Sequence, residues 1–407
     1  MGDLTFPPGF RWGTATSAHQ VEGGNRHNDW WVWEQEGRVR GGQRSGEACR
    51  WWTDAEADFD RAAALHQNAH RLSIEWSRIE PVPDRWDEAA LDRYRQLVAA
   101  LRARGLEPMV TLHHFTNPRW LAERGGWERA DTPARFVRFV ERVIPALREH
   151  VALWCTLNEP VGWALSAYGA GRWPPGRRSL RAVRRVLDNL ARAHAAAYRA
   201  IHRLQPEAQV GIAHYIRLFD PADPRSPLDR AVAAGYDRVV NRAFLDALTR
   251  GAARPLDFLG VNYYTRDRVA FDLRRPGRLF GRRFPTPGAP QSDGGYGEIY
   301  PEGMYRALHL AARYAAVLYV TENGLPDADD DQRGAFIVDH LRAVRRAIAD
   351  GLSVRGYYHW SLVDNFEWTE GWSLRFGLIA VDPTTQERRL RPSARLYAEI
   401  CRRNALP

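Results

Sequence analysis

Two glutamates of the 407-residue chain stand at the ends of short apolar runs. These are Glu159 in Leu153-Trp154-Cys155-Thr156-Leu157-Asn158-Glu159-Pro160 and Glu322 in Val317-Leu318-Tyr319-Val320-Thr321-Glu322-Asn323-Gly324. Each run is bounded and rich in β-branched or aromatic residues, so it reads as a buried strand, and Pro or Gly follows where the strand must stop. A carboxylate at the end of a buried strand is poorly solvated and must be paired or functional. Either glutamate alone could be half of a structural salt bridge. Two in matching positions, 163 residues apart, favour one shared site.

Other chemistries fit less well. His113 and His114 are adjacent in a strand pattern, so their side chains point to opposite faces and cannot chelate one ion. Neither has a second His or Cys at ligand spacing, so no metal and no cofactor is expected. There is no Gly-x-Ser-x-Gly elbow. All 58 basic residues are Arg, which excludes a Schiff-base lysine and a P-loop lysine. Paired glutamates in aromatic surroundings suit glycoside hydrolysis, one acting as nucleophile and one as acid. The 16 tryptophans supply flat apolar faces with an N–H donor, which serve core packing and sugar stacking alike.

The elements that must position these residues alternate strand and helix eight times. Strands are predicted at Gly9 to Thr14, His70 to Glu75, Glu107 to His113, Ala152 to Leu157, Gln209 to His214, Phe258 to Tyr263, Val317 to Glu322 and Arg355 to Trp360. Helices are predicted at Asp54 to His66, Glu88 to Arg104, Pro133 to Arg148, Leu180 to Leu204, Asp229 to Arg250, Gly303 to Arg313, Arg333 to Asp350 and about Pro392 to Arg403. Thr53 with Glu56 has capping-box spacing, Thr132 before Pro133 reads as an N-cap, and Gly105 and Gly351 follow helices as left-handed caps. Pro276 to Gly297 reads as one long loop. Buried strands alternating with helices imply a parallel sheet, and eight units favour a closed (β/α)8 barrel, an α/β fold with residues 1–407 as a single domain. No glycine-rich dinucleotide loop follows the first strands, which weakens an open doubly wound sheet.

In such a barrel, reactive residues belong at the carboxyl ends of the strands. Gln20, His114, Asn158, Glu159, His214, Asn262, Tyr264, Glu322, Trp360, Glu367 and Trp368 all fall there; the alternative, that half of them simply satisfy loop backbones, is the weaker one for the two glutamates together.

The net charge of +9 raises a nucleic-acid reading, but the arginines are scattered over helices among Asp and Glu. Runs such as Arg181 to Arg185 and Arg342 to Arg346 fit solvated helix faces better than a phosphate-binding patch. Cys49, Cys155 and Cys401 are odd in number, far apart and without ligand spacing, so free thiols in a reducing compartment are expected. No segment has the length of a membrane span and no apolar stretch precedes Phe6, so the expected location is the cytoplasm. The expected partners are small molecules, with neither nucleic acid nor membrane. The sequence assigns no oligomeric state.

Eight ordered stretches resemble glycoside hydrolase family 1, the β-glucosidase and β-galactosidase family. They are Phe6 to Gln20 (FPPGFRWGTATSAHQ), Arg71 to Ile79 (RLSIEWSRI), Thr111 to His114 (TLHH), Thr156 to Pro160 (TLNEP), Asp257 to Thr265 (DFLGVNYYT), Tyr300 to Gly303 (YPEG), Thr321 to Gly324 (TENG) and Trp360 to Trp368 (WSLVDNFEW). They occur in family order, the resemblance covers about residues 6 to 400, and the Arg71 to Arg78 and His359 to Trp368 stretches are similar to the archaeal, broad-specificity branch.

The resemblance implies roles. Glu159 matches the acid/base and Glu322 the nucleophile of a retaining enzyme, whose carboxyls sit roughly 5–5.5 Å apart. At that separation one Glu is expected to keep its proton near neutral pH. Arg71, Tyr264 and Asn262 match residues that support the nucleophile, and Asn158 the donor to the sugar 2-hydroxyl. Gln20, His114, Glu367, Trp368 and Phe376 match binders of the rest of the sugar. Trp360 matches the floor on which the pyranose stacks, where its residue type alone suggests core packing, and the Trp360–Ser361 peptide is cis in the family.

The expected activity is exo-acting β-glycoside hydrolysis, a β-glucosidase with β-galactosidase or β-fucosidase side activity, acting on small β-glycosides or short oligosaccharides. Relatives acting on 6-phosphosugars carry Ser, Lys and Tyr where this chain has Glu367, Leu374 and Phe376. A carboxylate about 4 Å from a phosphate costs roughly 4 kcal/mol per charge pair at an effective dielectric near 20, with no cation at position 374 to offset it. Thioglucosidase relatives lack the acid/base that Glu159 supplies. A silent sugar-binding relative loses one of the two glutamates, and neither is lost here; transfer to alcohols would use the same residues. Phe115 replaces a Trp of many relatives, and Leu248 to Asp257 is shorter than usual by about thirty residues on the resemblance. The Arg-rich segment Arg38 to Arg50 has no assignment.

Overall fold

The computed structural model describes residues 4–250 and 254–407. Eight parallel strands close into a barrel: β1 (Arg11–Ala15), β2 (Ala69–Ser73), β3 (Glu107–Thr111), β4 (Leu153–Asn158), β5 (Gln209–Pro221), β6 (Phe258–Phe271), β7 (Val317–Asn323) and β8 (Ser353–Trp360). Each pairs with its neighbours in chain order, β8 pairs back onto β1, and no barrel strand is left with a free edge. Helices follow in the expected places: α1 (Trp51–Ala64), α2 (Glu88–Ala103), α3 (Thr132–Leu147), α4 (Leu180–Leu204), α5 (Pro227–Asp237), α6 (Glu302–Ala311), α7 (Arg333–Ala349) and α8 (Pro392–Arg403).

Alternation along each strand separates two apolar layers. Ala15, Ala69, Met109, Leu153, Phe258, Tyr319 and Tyr358 pack inside the barrel. A larger layer, with Trp12, Val110, Trp154, Ile212 and Val320, packs the strands against the helices. Arg11 closes the amino-terminal end of the barrel, pairing with Glu107 at 2.5 Å and donating to the Tyr319 hydroxyl at 3.1 Å.

Several expectations need correction. Thr53 does not open a capping box, because α1 starts two residues earlier with left-handed Arg50 before it, and the Thr53 hydroxyl donates to the Arg50 carbonyl at 3.1 Å. Glu56 instead pairs with Arg93. Thr132 is the first residue of α3 rather than its cap, and its hydroxyl donates to the Gly126 carbonyl at 2.6 Å. The helix expected over Asp229 to Arg250 runs continuously from Pro227 to Leu248, with one π turn at Arg238–Arg242 within it.

Strands β5 and β6 run past the barrel rim as a paired ribbon, to Pro221 and Phe271. Consequently Pro276 to Gly297 is not one loop; Gly281–Phe284 turns back as a hairpin strand on β6. Gly105 and Gly351 do take the left-handed conformation. The shortened stretch Leu248 to Asp257 contains residues 251–253, which lie outside the described residues.

The arginine runs behave as solvated faces: Arg181, Arg184 and Arg185 are exposed, as are Arg342 and Arg346, which pair with Asp339 and Glu302. No helix among the described residues is long and apolar enough to cross a membrane. The unassigned segment Arg38 to Arg50 lies against the loop after β8, where Arg40 pairs with Glu370 at 2.8 Å and Gln43 accepts from the Trp372 amide at 2.8 Å.

Candidate active site

Glu159 is placed by a strained turn. It follows the last residue of β4 with φ 44° and ψ 53°, a left-handed conformation that a Glu rarely adopts, and Pro160 then starts a short helix. Glu322 is placed by a bulge. Val261 pairs with Val320 but Asn262 pairs with Glu322, so the extra residue Thr321 turns the end of β7. The turn after it is tight, since a Cβ on Gly324 would meet the Trp360 carbonyl oxygen at 1.9 Å.

Between them lies a fully bonded polar network. Arg71, wholly buried on β2, donates to Glu322 Oε1 at 2.6 Å, to Asn158 Oδ1 at 2.6 Å and to Thr111 Oγ1 at 3.1 Å. The Tyr264 hydroxyl donates to Glu322 Oε2 at 2.7 Å. Asn262 donates to Glu159 Oε1 at 2.9 Å and to Asn158 Oδ1 at 3.1 Å, and its own oxygen accepts from Thr321 Oγ1 at 2.6 Å.

The two carboxyls therefore differ. Burial pushes Glu159 up to about 8, the charge of Glu322 adds to the rise, and the Asn262 bond and Arg71 only partly oppose it. Burial also raises Glu322, but there the Arg71 charge and bonds from Tyr264, Arg71 and Asn262 pull the other way. Glu159 is the group that keeps its proton, and Glu322 the anion.

Asn158 donates through Nδ2 to His114 Nε2 at 3.0 Å, because its oxygen is already occupied by Arg71 and Asn262. That leaves the His114 proton on Nδ1, which is buried and without a partner among the described residues. Burial first, then Arg71 and His113, holds this imidazole neutral. His113 turns the other way, bonding Asn117 at 3.1 Å and packing on Trp127 and Trp163.

The His114 ring lies nearly parallel to Trp360 and Trp368, at 6.0 Å and 6.1 Å. Gln20 donates to Asn365 at 2.9 Å and to Glu367 at 3.0 Å. Burial pushes Glu367 up to about 8 against that bond, with Glu322 and Glu370 adding to the rise. Phe376 packs edge-on to Tyr264 and Tyr296, and Phe115 contacts His114, Trp173 and Trp368. The Trp360–Ser361 peptide is cis.

Of the mouth residues named from sequence, His214 does not belong. Its Nε2 bonds the Asn241 carbonyl at 3.0 Å and its ring stacks on Phe244, so it faces the helices. The next residue, Tyr215, faces the mouth, a one-residue change that reverses sides on a strand. Asn262, expected to support the nucleophile, lowers Glu322 and also donates to Glu159 at 2.9 Å. Tyr215, Tyr296 and Asn365 are additions; strand alternation could have found Tyr215, while Tyr296 sits in an irregular segment with no periodic signal.

The chain is similar to known proteins over nearly its whole length. The family model described as "Glycosyl hydrolase family 1" matches residues 3–255 and 252–406. A beta-galactosidase of Sulfolobus acidocaldarius is 33% identical over 99% of this chain and 96% of its own length. A solved beta-glycosidase from Pyrococcus horikoshii superposes with a TM-score of 0.95 at 40% identity, covering 100% of this chain and 97% of that one. A beta-glucosidase from Thermotoga maritima in complex with glucoimidazole superposes with a TM-score of 0.94 at 30% identity, over 99% of this chain and 100% of that one.

Proposed function

Because the chain belongs to glycosyl hydrolase family 1, we propose that it is a retaining exo-acting β-glucosidase, with β-galactosidase or β-fucosidase side activity, on terminal non-phosphorylated β-D-glycosides. The observation that carries the reading is the unequal support of the two glutamates: Glu322 is held by a cation and a phenol, Glu159 by a neutral amide.

In the first step Glu159 gives its proton to the glycosidic oxygen as a Glu322 oxygen attacks the anomeric carbon, so the C–O bond breaks and the alcohol leaves. Esterified Glu322 carries no charge, which removes one of the causes that raised Glu159. Glu159, now a carboxylate, takes a proton from water as that water attacks the anomeric carbon and frees Glu322. The Asn158 amide, fixed by Arg71 and Asn262, serves the 2-hydroxyl. His114 Nδ1–H, Gln20 and Glu367 serve the other hydroxyls. Trp360, Trp368 and Phe376 form the apolar walls. Beta-galactosidase and beta-glucosidase relatives support the sugar range. The three cysteines are free and buried, which supports placing the enzyme in the cytoplasm.

NMR of the first product from 4-nitrophenyl β-glucoside tests the assignment. The β-anomer is expected first, and an α-anomer first would refute retention. Binding without turnover, unchanged in Glu322→Ala, would instead make the protein a silent sugar binder on the same barrel.

A further inference from the structure

A polar cavity opens beside the catalytic residues. It holds about 200 Å3 and is lined by Arg217, Arg266, Arg278 and Arg283 with Asp267 and Glu298. It sits where β5, β6 and the hairpin strand Gly281–Phe284 meet. Four arginines converge on this one concavity.

The cavity adjoins the leaving-group side of the site. Tyr296 lines it and also packs edge-on to Tyr264 at 5.8 Å and Phe376 at 5.2 Å. The Tyr215 hydroxyl accepts from Arg217 at 3.0 Å, and the Tyr215 ring reaches Gly162, where a Cβ would meet Glu159 Oε2 at 3.4 Å and Tyr215 Cδ1 at 3.9 Å. A group that accepts the Glu159 proton departs past these two tyrosines.

The charges in the cavity do not balance. Asp267 is taken by two Arg217 bonds of 2.8 Å and a 3.3 Å contact from Arg283. Glu298 accepts from Arg266 at 2.8 Å and from the Thr286 amide at 2.7 Å. Arg278 has no carboxylate partner among the described residues, and its carbonyl accepts from the Tyr236 hydroxyl at 2.6 Å. The wall is fixed as well, since a Cβ on Gly281 would meet Tyr236 Cε2 at 2.4 Å. A rigid recess with arginine N–H groups left over presents a bidentate match to a carboxylate, and its volume suits one ring with an acidic substituent.

We propose that this cavity is a leaving-group subsite for an aromatic ring bearing a carboxylate. The proposal rests on the glycosidase reading and adds the class of aglycone. The test compares the β-glucosides of 3-(4-hydroxyphenyl)propanoate and of its propanamide, whose phenols leave equally well. The wild type should prefer the acid roughly tenfold in kcat/KM at low ionic strength, the preference shrinking with added salt. Arg278→Ser combined with Arg283→Ser, both exposed positions, should bring the ratio to about one. A wild-type ratio of one or below, or a ratio that the double substitution leaves unmoved, overturns the proposal. Calorimetry with free 3-(4-hydroxyphenyl)propanoate and its amide separates the two readings. If neither glucoside turns over, the glycosidase assignment has failed, and tighter binding of the acid than the amide, lost in the double variant, still decides for the subsite or against it.

Discussion

The amide of Asn262 donates to Glu159 at 2.9 Å while its Cα stands opposite Glu322 in the register of β6 and β7. One neutral side chain thus links two carboxyls that receive opposite electrostatic treatment. Arg71 lies against Glu322 within a wholly buried pocket, so a proton shared between the glutamates settles on Glu159.

The pH profile should show this. An acid raised to about 8 is protonated below that pH and loses its proton above it, so kcat/KM on an alkyl β-glucoside should fall as pH rises through about 8. Glu159→Gln should lower that kcat/KM by roughly 10²–10⁴ and abolish the alkaline limb. With a 2,4-dinitrophenyl leaving group, which departs without a proton, the loss in the glycosylation step should be far smaller. An alkaline limb unchanged in Glu159→Gln would assign the titration to another group.

Arg71→Met removes the cation from Glu322 and the donor from Asn158 at once. Breaking a buried pair on one side costs about 3–5 kcal/mol, and the orphaned carboxyl takes up a proton rather than remain charged. The expected result is a kcat/KM lower by roughly 10³, comparable to losing one preorganised electrostatic contact, together with a lower denaturation midpoint. Near-normal activity with a well-folded protein would show that the guanidinium is not what keeps Glu322 ionised.

Much of this was legible in the chain because the barrel obeys periodic rules. Apolar runs located all eight strands, and α4 and α8 begin and end at Leu180, Leu204, Pro392 and Arg403 as expected. What escaped lies where periodicity stops. The ribbon of β5 and β6 beyond the rim carries Tyr215, Arg217 and Asp267, and its strands end late because they pair with each other rather than with the barrel. The bulge at Thr321 and the left-handed Glu159 are set by tertiary contacts that no local pattern encodes. His214 was misplaced because a strand predicted to end at it gives no view of the next alternation.

The charge of Glu367 gives a specificity prediction. Its carboxyl meets Gln20 rather than a cation, and Leu374 and Phe376 beside the site are buried and uncharged. Above about pH 8, where Glu367 is ionised, a sugar 6-phosphate would face a carboxylate about 4 Å away with nothing to offset it, a penalty of roughly 4 kcal/mol. At about pH 9, turnover of 4-nitrophenyl β-glucoside 6-phosphate should therefore be slower than that of the plain glucoside by about 10³ in kcat/KM, and the gap should narrow as pH falls and Glu367 takes up its proton. Comparable rates for the two would mean that an arginine reaches the 6-position in solution.

The same asymmetry should weaken the fold at high pH. Glu159 binds its proton more tightly folded than unfolded, so its contribution is complete below about 4.5 and is lost as pH rises toward about 8. Gln at this position keeps an oxygen for the Asn262 amide and has no proton to lose. Glu159→Gln should therefore match the wild-type melting temperature near pH 4.5 and exceed it by about 2–4 °C at pH 8, while being far less active. Scanning calorimetry at the two pH values measures the difference, and a variant less stable at pH 8 than at pH 4.5 relative to wild type would show that Glu159 is ionised in the resting enzyme.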